Sequence, residues 1–232
     1  MYTLSMTRQA LTVFCDFDGT ITTRDVVDEL LVRLADPAWT AIEAEWEQGL
    51  IGSRECLARQ IPLIRGGWSA IERVLGGVTV DPSFAGFASW CASRSIPLII
   101  VSDGLDRVIT WLLARERVRV DAVWANHLVI DSSGTSSITF PHPPRERVCR
   151  SGLCKCQVLA EEATERQSVV IGDGLSDTCW APEADYCFAK GHLLEFCRAR
   201  QIDCFAFDDF TTIQNTLSHL TEKRPSAIPL AR

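Results

Sequence analysis

Two carboxylates stand one residue apart near the start of the chain, directly after an apolar run. Asp16 and Asp18 follow Leu11–Cys15, and Gly19 and Thr20 come next. A short apolar run that ends in a glycine turn is typical of a buried strand in a parallel sheet. Ligands gather at the carboxyl ends of such strands, so both acids are expected at that edge. Because two neighbouring acids repel each other, the pair favours a bound cation, and hard carboxylate oxygens suit Mg²⁺.

Two later apolar runs, residues 97–101 and 168–171, also lead into polar groups. We expect both to be strands of the same sheet, because helical spacing follows each run and a parallel sheet needs such crossovers. The polar residues that end these strands, or precede the third one, are Ser102, Asp103, Gly104, Lys155, Asp173 and Asp177. Parallel strands bring their ends to one edge, so the sequence predicts one site built from several distant segments.

In order and residue type this set resembles the four motifs of the haloacid dehalogenase superfamily of phosphatases. The D-x-D-G-T stretch at Asp16 resembles motif I, and Gly172-Asp-Gly-Leu-Ser-Asp177 resembles motif IV. The resemblance covers residues 11 to 190. It implies that Asp16 attacks phosphorus and forms an aspartyl-phosphate, while Asp18 first protonates the leaving oxygen and then activates water.

The resemblance also implies the supporting roles. Mg²⁺ would be held by Asp16, Asp173 and the backbone carbonyl of Asp18, with Asp177 supporting the metal shell. The groups expected to bind the transferring phosphate are Ser102, Asp103, Gly104 and Lys155. Charge placement of this kind supplies most of phosphoryl-transfer catalysis.

Each of these residues has a plainer interpretation as well. An aspartate at a strand end can cap the following turn, and Lys155 alone could be a solvated lysine. Asp177 could be a helix-start acid favoured by the helix dipole. The reaction class depends on Asp18, because dehalogenases lack this second acid and P-type ATPases carry a lysine there. A phosphotransferase or mutase stays open, as does a non-catalytic phosphometabolite-binding protein.

Composition narrows the class of protein. The chain has 232 residues, a net charge of −7 and 47% hydrophobic residues, which fits one α/β core with an inserted cap. The sequence has no block of basic residues, which argues against nucleic-acid binding. No run approaches the roughly 18 apolar residues of a membrane helix, and residues 1–10 lack a signal-peptide core, so we expect a cytoplasmic protein. We expect a monomer or homodimer that binds a small phosphorylated metabolite.

Helical spacing over residues 22–80 predicts a compact insertion between the first two strands. We therefore predict a Rossmann-like α/β core of residues 1–21 and 81–232 with a helical cap at 22–80. Residues 120–140 alternate in polarity around a turn at Asp131 and Gly134, which predicts a β-hairpin.

The predicted cap bears on the substrate. It resembles that of phosphoserine phosphatases, in which an acid nine residues after the nucleophile reaches the substrate; Asp25 stands there, although it could also N-cap the next helix. Arg54 and Arg59 are candidates for holding a substrate carboxylate. Trp39, Trp46 and Trp68 would suit a substrate with an apolar end, but their helical spacing is also typical of simple packing.

Another branch resembles the chain more closely. Residues 37–39, residues 140–142 and a cysteine-rich loop before Lys155 are similar to the methionine-salvage phosphatases, and phosphoethanolamine/phosphocholine phosphatases share the loop. Its thiols, Cys149, Cys154 and Cys156, could pack in the core, pair as a disulfide, or bind zinc with a fourth ligand such as His142.

Overall fold

A seven-stranded sheet forms the centre of the computed structural model, which describes residues 10–145, 149–163 and 165–222. The strands are β1 (Leu11–Cys15), β2 (Leu98–Leu105), β3 (Ala122–Ile130), β4 (Ser136–Thr139), β5 (Gln167–Gly172), β6 (Tyr186–Ala189) and β7 (Phe205–Ala206). Their order is β4-β3-β2-β1-β5-β6-β7, and every neighbouring pair is parallel except β3 with β4. This mostly parallel sheet confirms the predicted α/β fold with a Rossmann-like core and a β-hairpin.

Helices occupy the connections between the strands. They are α1 (Val26–Leu34), α2 (Trp39–Glu47), α3 (Ser53–Gln60), α4 (Gly67–Leu75), α5 (Phe84–Ser93), α6 (Asp106–Arg115), α7 (Lys155–Glu162), α8 (Gly191–Arg200) and α9 (Phe210–Glu222). Single 3₁₀ turns occur at Ile61–Leu63, Leu175–Asp177 and Ala181–Glu183. The first four helices lie within the segment 22–80 that the sequence predicts as a cap. The division into two domains stays a prediction.

Strand β1 lies in the middle of the sheet and is buried along its whole length. Val13 pairs with Leu98 of β2 on one side and with Val169 of β5 on the other. Phe14 packs in a core on one face of the sheet, while Val13 and Cys15 belong to the larger core on the other. Each buried large apolar side chain contributes roughly 1.5–3 kcal/mol, so the strand that delivers the first two acids is firmly held.

Two predictions concern membrane-spanning helices and the N-terminal segment. Within the described residues, no helix has both the length and the apolar character that crossing a membrane requires. The expectation about the N-terminal segment concerns residues 1–10, of which 1–9 lie outside the described part of the chain.

Candidate active site

Asp16 begins the site at the carboxyl end of β1. Its backbone N–H donates to the carbonyl of Ile171 in β5 at 2.9 Å, so the two central strands fix its position. The carboxylate is buried, and its Oδ1 accepts a hydrogen bond from Nζ of Lys155 at 2.6 Å. Lys155 is itself only 1% exposed, although lysine is rarely buried without a partner. The plainer interpretation of Lys155 as a solvated lysine is therefore wrong, and Lys155 is part of a buried ionic cluster.

Asp177 completes that cluster. Its Oδ1 accepts a second hydrogen bond from Lys155 Nζ at 2.7 Å. Its Oδ2 accepts the backbone N–H groups of Asp173 and Gly174 at 3.1 and 3.0 Å. One fully buried carboxylate thus holds both the ammonium group and the turn after β5.

Asp173 is tied to the first strand by Thr20. The Thr20 hydroxyl lies 2.5 Å from Oδ1 of Asp173 and 3.4 Å from Oδ2 of Asp16, so it bridges the ends of β1 and β5. Gly19 has a φ of +74°, and a Cβ atom there would collide with the Asp173 carboxylate. Glycine is therefore required at position 19 because a side chain there would collide with Asp173, and threonine at position 20 supplies the hydroxyl that bridges the two strands.

Asp18 faces a bulge in β2. Its Oδ1 accepts the N–H of Val26, the first residue of α1, at 3.0 Å, and its Oδ2 lies 3.3 Å from the Ser102 hydroxyl. The Gly104 N–H donates to the same hydroxyl oxygen at 2.9 Å. A Cβ on Gly104 would collide with Asp18, so the close approach of the two segments requires glycine.

The bulge corrects one detail of the sequence prediction. We expected an apolar strand over residues 97–101 that ends at Ser102, Asp103 and Gly104, whereas β2 continues to Leu105. Val101 pairs with Trp124 of β3 and Leu105 with Asn126, so β2 contains two extra residues between these pairs. Such bulges redirect side chains beside active sites, and this one turns the Ser102 hydroxyl towards Asp18.

The side chain of Asp103 has structural partners that the sequence did not suggest. Its carboxylate accepts hydrogen bonds from the hydroxyl of Ser53, from Nδ2 of Asn126 at 3.0 Å and from the N–H of Leu153 at 2.9 Å. These partners come from the start of α3, from β3 and from the loop before Lys155. Asp103 therefore connects the predicted cap segment to the sheet edge, and its predicted part in phosphate binding stays a prediction.

A cavity of about 420 Å³ opens in front of these groups. Its floor contains Asp16, Asp18, Ser102, Asp103, Gly104 and Asp173, and its other wall comes from α1, α2 and α3. That wall carries three acids, Asp25, Asp28 and Glu43, beside Trp46. Asp25 also caps α1, since its Oδ1 accepts the Asp28 N–H at 3.1 Å. Its interpretation as an N-cap is therefore confirmed, and its contact with substrate stays a prediction.

The two predicted cap arginines have other contacts. The guanidinium group of Arg54 lies 4.9 Å from the centre of the Phe140 ring, and that of Arg59 pairs with Glu45 at 2.7 Å. Neither side chain is among those that line the 420 Å³ cavity. Their predicted role in substrate binding therefore stays a prediction that the cavity does not support.

Comparison with known proteins tests the resemblance that the motifs suggested. A model of the family described as haloacid dehalogenase-like hydrolase matches residues 13–182. The chain belongs to this family. It is therefore an enzyme of the hydrolase type, and the predicted resemblance is confirmed.

Several members of the haloacid dehalogenase-like family are similar to this chain over most of its length. A Geobacillus kaustophilus protein named 2-hydroxy-3-keto-5-methylthiopentenyl-1-phosphate phosphatase is 30% identical over 221 residues, which cover 93% of this chain and 98% of that protein. A Brevibacillus brevis protein of the same name is 28% identical, with 92% and 97% covered. A phosphoserine phosphatase structure from T. onnurineus has a TM-score of 0.66 at 16% identity and covers 93% and 98% of the two chains, which shows the shared fold.

Burial raises the pKa values of the acids at the carboxyl ends of β1 and β5. Burial raises the pKa of Asp16 well above its usual value, and Lys155 opposes that shift while Asp177 and Asp173 add to it. Burial alone would lower the pKa of Lys155, but Asp16 and Asp177 outweigh burial and hold that pKa above its ordinary value. The lysine is therefore charged, and it faces more carboxylates than one ammonium group can neutralise.

The donor set fits the divalent cation that the family implies. Carboxylate oxygens of Asp16, Asp173 and Asp177 lie within 4.8 Å of one another, and oxygen ligands of this type suit Mg²⁺. Burial raises the pKa of Asp173 as well. A cation at this position would favour the ionised forms of Asp16 and Asp173, whose pKa values burial raises. The residues present therefore fit a Mg²⁺ site.

Proposed function

We propose that the enzyme hydrolyses a small phosphate monoester through an aspartyl-phosphate on Asp16, with Mg²⁺ as cofactor. The observation that carries this proposal is the pairing of a Lys155-bound carboxylate, Asp16, with a second acid, Asp18, across one cavity floor. Membership of a hydrolase family and relatives named as phosphatases support it.

In the first step an oxygen of Asp16 forms a bond to phosphorus while the bond from phosphorus to the leaving oxygen breaks. Lys155 holds Oδ1 of Asp16 at 2.6 Å, so the attacking atom in this proposal is Oδ2, whose one hydrogen-bond contact among the described residues is the Thr20 hydroxyl at 3.4 Å. Asp18 gives its proton to the leaving oxygen. Burial raises the pKa of Asp18 well above its usual value, and the Asp25 carboxylate adds to that shift, so Asp18 is suited to act as a general acid.

In the second step Asp18, now a carboxylate, takes a proton from a water molecule that attacks phosphorus. The bond between phosphorus and Asp16 breaks, and the products are inorganic phosphate and the free Asp16 carboxylate. The Ser102 hydroxyl, 3.3 Å from Asp18, is placed to donate to a phosphoryl oxygen on this floor. Lys155 and the backbone at Gly104 are the other proposed phosphate contacts.

Mg²⁺ would be held by Asp16, Asp173 and the backbone carbonyl of Asp18, with Asp177 in support, and it would neutralise charge on the transferring phosphoryl group. Asp177 has a second task in the proposal. Because it binds both Lys155 and the turn that carries Asp173, it keeps the ammonium group and the metal-binding acid in a fixed relation.

For the substrate we infer a methionine-salvage type of phosphate ester, 2-hydroxy-3-keto-5-methylthiopentenyl-1-phosphate. The names of the relatives support it. The apolar groups of Val27, Trp46 and Leu57 on the cavity wall would accommodate a methylthio end. We also propose that the enzyme acts in the cytoplasm as a monomer or homodimer.

A second substrate class has a separate observation in its favour. Asp25, Asp28 and Glu43 line the same cavity as Trp46. An aromatic face with carboxylates is a suitable site for an ammonium group, which favours phosphoethanolamine or phosphocholine. Phosphoserine is the third candidate, and the positions of Arg54 and Arg59 outside the cavity weaken it.

A substrate panel tests the proposal. We would measure phosphate release from the three classes of ester with and without Mg²⁺, for the native enzyme, Asp16→Asn and a control, Asp203→Asn, which changes an exposed acid elsewhere. Release should require Mg²⁺, disappear in Asp16→Asn and persist in the control. Transfer of phosphate to an added alcohol in preference to water would favour a phosphotransferase instead.

A further inference from the structure

Four cysteines lie near one another in the segments around Lys155 and Asp177. Cys149 lies in the loop before α7, Cys154 and Cys156 flank Lys155, and Cys179 follows the Leu175–Asp177 turn. Sulfur atoms of Cys149, Cys156 and Cys179 lie within 4.8 Å of one another. The Sγ atoms of Cys149 and Cys156 are 3.8 Å apart, and those of Cys154 and Cys156 are 3.1 Å apart.

One of these separations matches a known coordination geometry. Zn²⁺ binds thiolates at about 2.3 Å with tetrahedral angles, which places two sulfur ligands about 3.8 Å apart. The Cys149–Cys156 separation equals that edge. Cys154 lies outside the group of three, so its sulfur must move away from Cys156, from 3.1 towards 3.8 Å, and closer to at least one of the other two sulfurs to take the fourth corner.

We propose that Cys149, Cys156 and Cys179, with Cys154 as the fourth ligand, form a structural Zn²⁺ site. The thiols release their protons to solvent when the metal binds. The site is closed, with no position left for substrate, as structural zinc sites are.

The surroundings of the sulfur atoms support metal binding. Cys149, Cys156 and Cys179 are half-buried and line a cavity of about 890 Å³ that is separate from the one containing Asp16, so an ion can enter from solvent. Burial raises the pKa of the Cys179 thiol, and a hydrogen bond from the Cys156 N–H opposes that rise. Such N–H groups also orient thiolate ligands in metal sites.

The other possible roles of these thiols agree less well with the structure. A disulfide has sulfur atoms about 2.0 Å apart and would use two of the four, whereas three sulfurs here lie within 4.8 Å of one another. His142, which the sequence suggested as a fourth ligand, packs edge-on against Trp124 with ring centres 4.5 Å apart. Cys154, with its sulfur 3.1 Å from that of Cys156, is therefore the better fourth ligand.

Zinc at this position would act through Lys155 without touching substrate. Cys154 and Cys156 are its chain neighbours at the start of α7, and Cys179 lies two residues after Asp177. The metal would join the helix that begins with Lys155 to the segment that carries Asp177. These cysteines are thus positioning residues for the buried lysine.

Metal analysis of the purified full chain tests the proposal. After expression with zinc and exhaustive dialysis, we expect about one Zn²⁺ per chain in the native protein and in Cys204→Ala, a half-buried cysteine outside the cluster. Cys179→Ala should lose the metal. Thermal denaturation should show a lower Tm for the native protein after chelation, and restored Zn²⁺ should reverse the change.

A second measurement does not depend on the folding of a variant. Titration of the zinc-free native chain with Co²⁺ should give the visible absorption of a tetrahedral site and a near-ultraviolet sulfur-to-metal band. Zinc content near zero together with an octahedral Co²⁺ spectrum would overturn the proposal. A disulfide between any two of the four cysteines, found in a non-reducing digest of protein kept under reducing conditions, would overturn it too.

Discussion

The Nζ atom of Lys155 lies 2.6 Å from Oδ1 of Asp16, and the two side chains are almost completely buried, at 1% and 6% exposure. The same ammonium group lies 2.7 Å from Asp177. Removing one partner from such a cluster leaves an uncompensated buried charge, which costs far more than the net contribution of the pair. The cluster therefore couples the position of the proposed nucleophile to the stability of the fold.

Lys155→Met tests this coupling. The substitution leaves Asp16 and Asp177 without their shared cation, so the free energy of unfolding should fall by about 3–5 kcal/mol in metal-free buffer. Urea denaturation measures it. The double variant Lys155→Met/Asp177→Asn removes one of the two stranded charges and should recover part of the loss. A loss below about 1 kcal/mol for Lys155→Met would show that the cluster is not a buried ionic network.

Asp18→Asn separates leaving-group protonation from attack on phosphorus. For an alkyl phosphate, loss of the general acid should lower kcat by roughly 10²–10⁴-fold. The loss should be much smaller with an activated aryl phosphate, whose leaving oxygen needs little protonation. Steady-state kinetics with the two esters provide the comparison, and equal losses for both would argue against Asp18 as the acid.

Gly104→Ala tests the close approach between the β2 bulge and Asp18. An added Cβ would collide with the Asp18 carboxylate, so kcat should fall while the chain still folds. Gly86→Ala is the matched control, because the Cβ built there meets nothing within 4 Å. Gly86 lies inside α5, so its replacement by alanine should stabilise the protein by roughly 0.5–1 kcal/mol. Unchanged kcat in Gly104→Ala would contradict the described contact.

The acidic wall predicts a pH dependence that distinguishes the substrate classes. Desolvation against the cavity wall, with Asp25 and Glu43 adding to it, raises the pKa of Asp28 to about 7. Asp28 is therefore mostly neutral below that pH and negative above it. The KM for phosphocholine should decrease as the pH rises through about 7, and Asp28→Asn should remove the change.

An ester with an uncharged end provides the control for this experiment. Its KM should not decrease over the same pH interval, because it carries no cation for Asp28 to attract. A decrease of equal size for both esters would assign the effect to the phosphate end and would remove the main support for a cationic substrate.

The acids at the carboxyl edge of the sheet could be located from the sequence because each one directly follows a recognisable apolar strand. Asp16, Asp18 and Asp173 each follow an apolar strand, and parallel strands must bring their ends together. Asp103, Ser53 and Asn126 were harder to connect, because their contacts depend on a register shift between β2 and β3 that no local pattern specifies. Asn126 did carry a signal, since it and His127 are the two polar residues of a strand that is otherwise apolar.

Lys155 and the cysteines show a second limit. The resemblance to the family placed Lys155 in the site. Its burial could not be predicted, because it depends on contacts with Asp16 and Asp177, which come from distant parts of the chain. Cys179 was absent from the predicted cysteine group because it lies far along the chain from Cys156, and only the turn at Leu175–Asp177 brings it back. Such contacts depend on tertiary structure.

The most direct test of the proposed mechanism is detection of the phosphorylated enzyme. The native chain would be mixed with Mg²⁺ and a slowly hydrolysed phosphate ester, quenched in acid within the first turnover, and digested for mass spectrometry. A phosphoryl group on Asp16, absent without Mg²⁺ and absent in Asp16→Asn, is the expected result. Phosphate release during that turnover with no phosphorylated Asp16 peptide, or with the group on another residue, would contradict the mechanism.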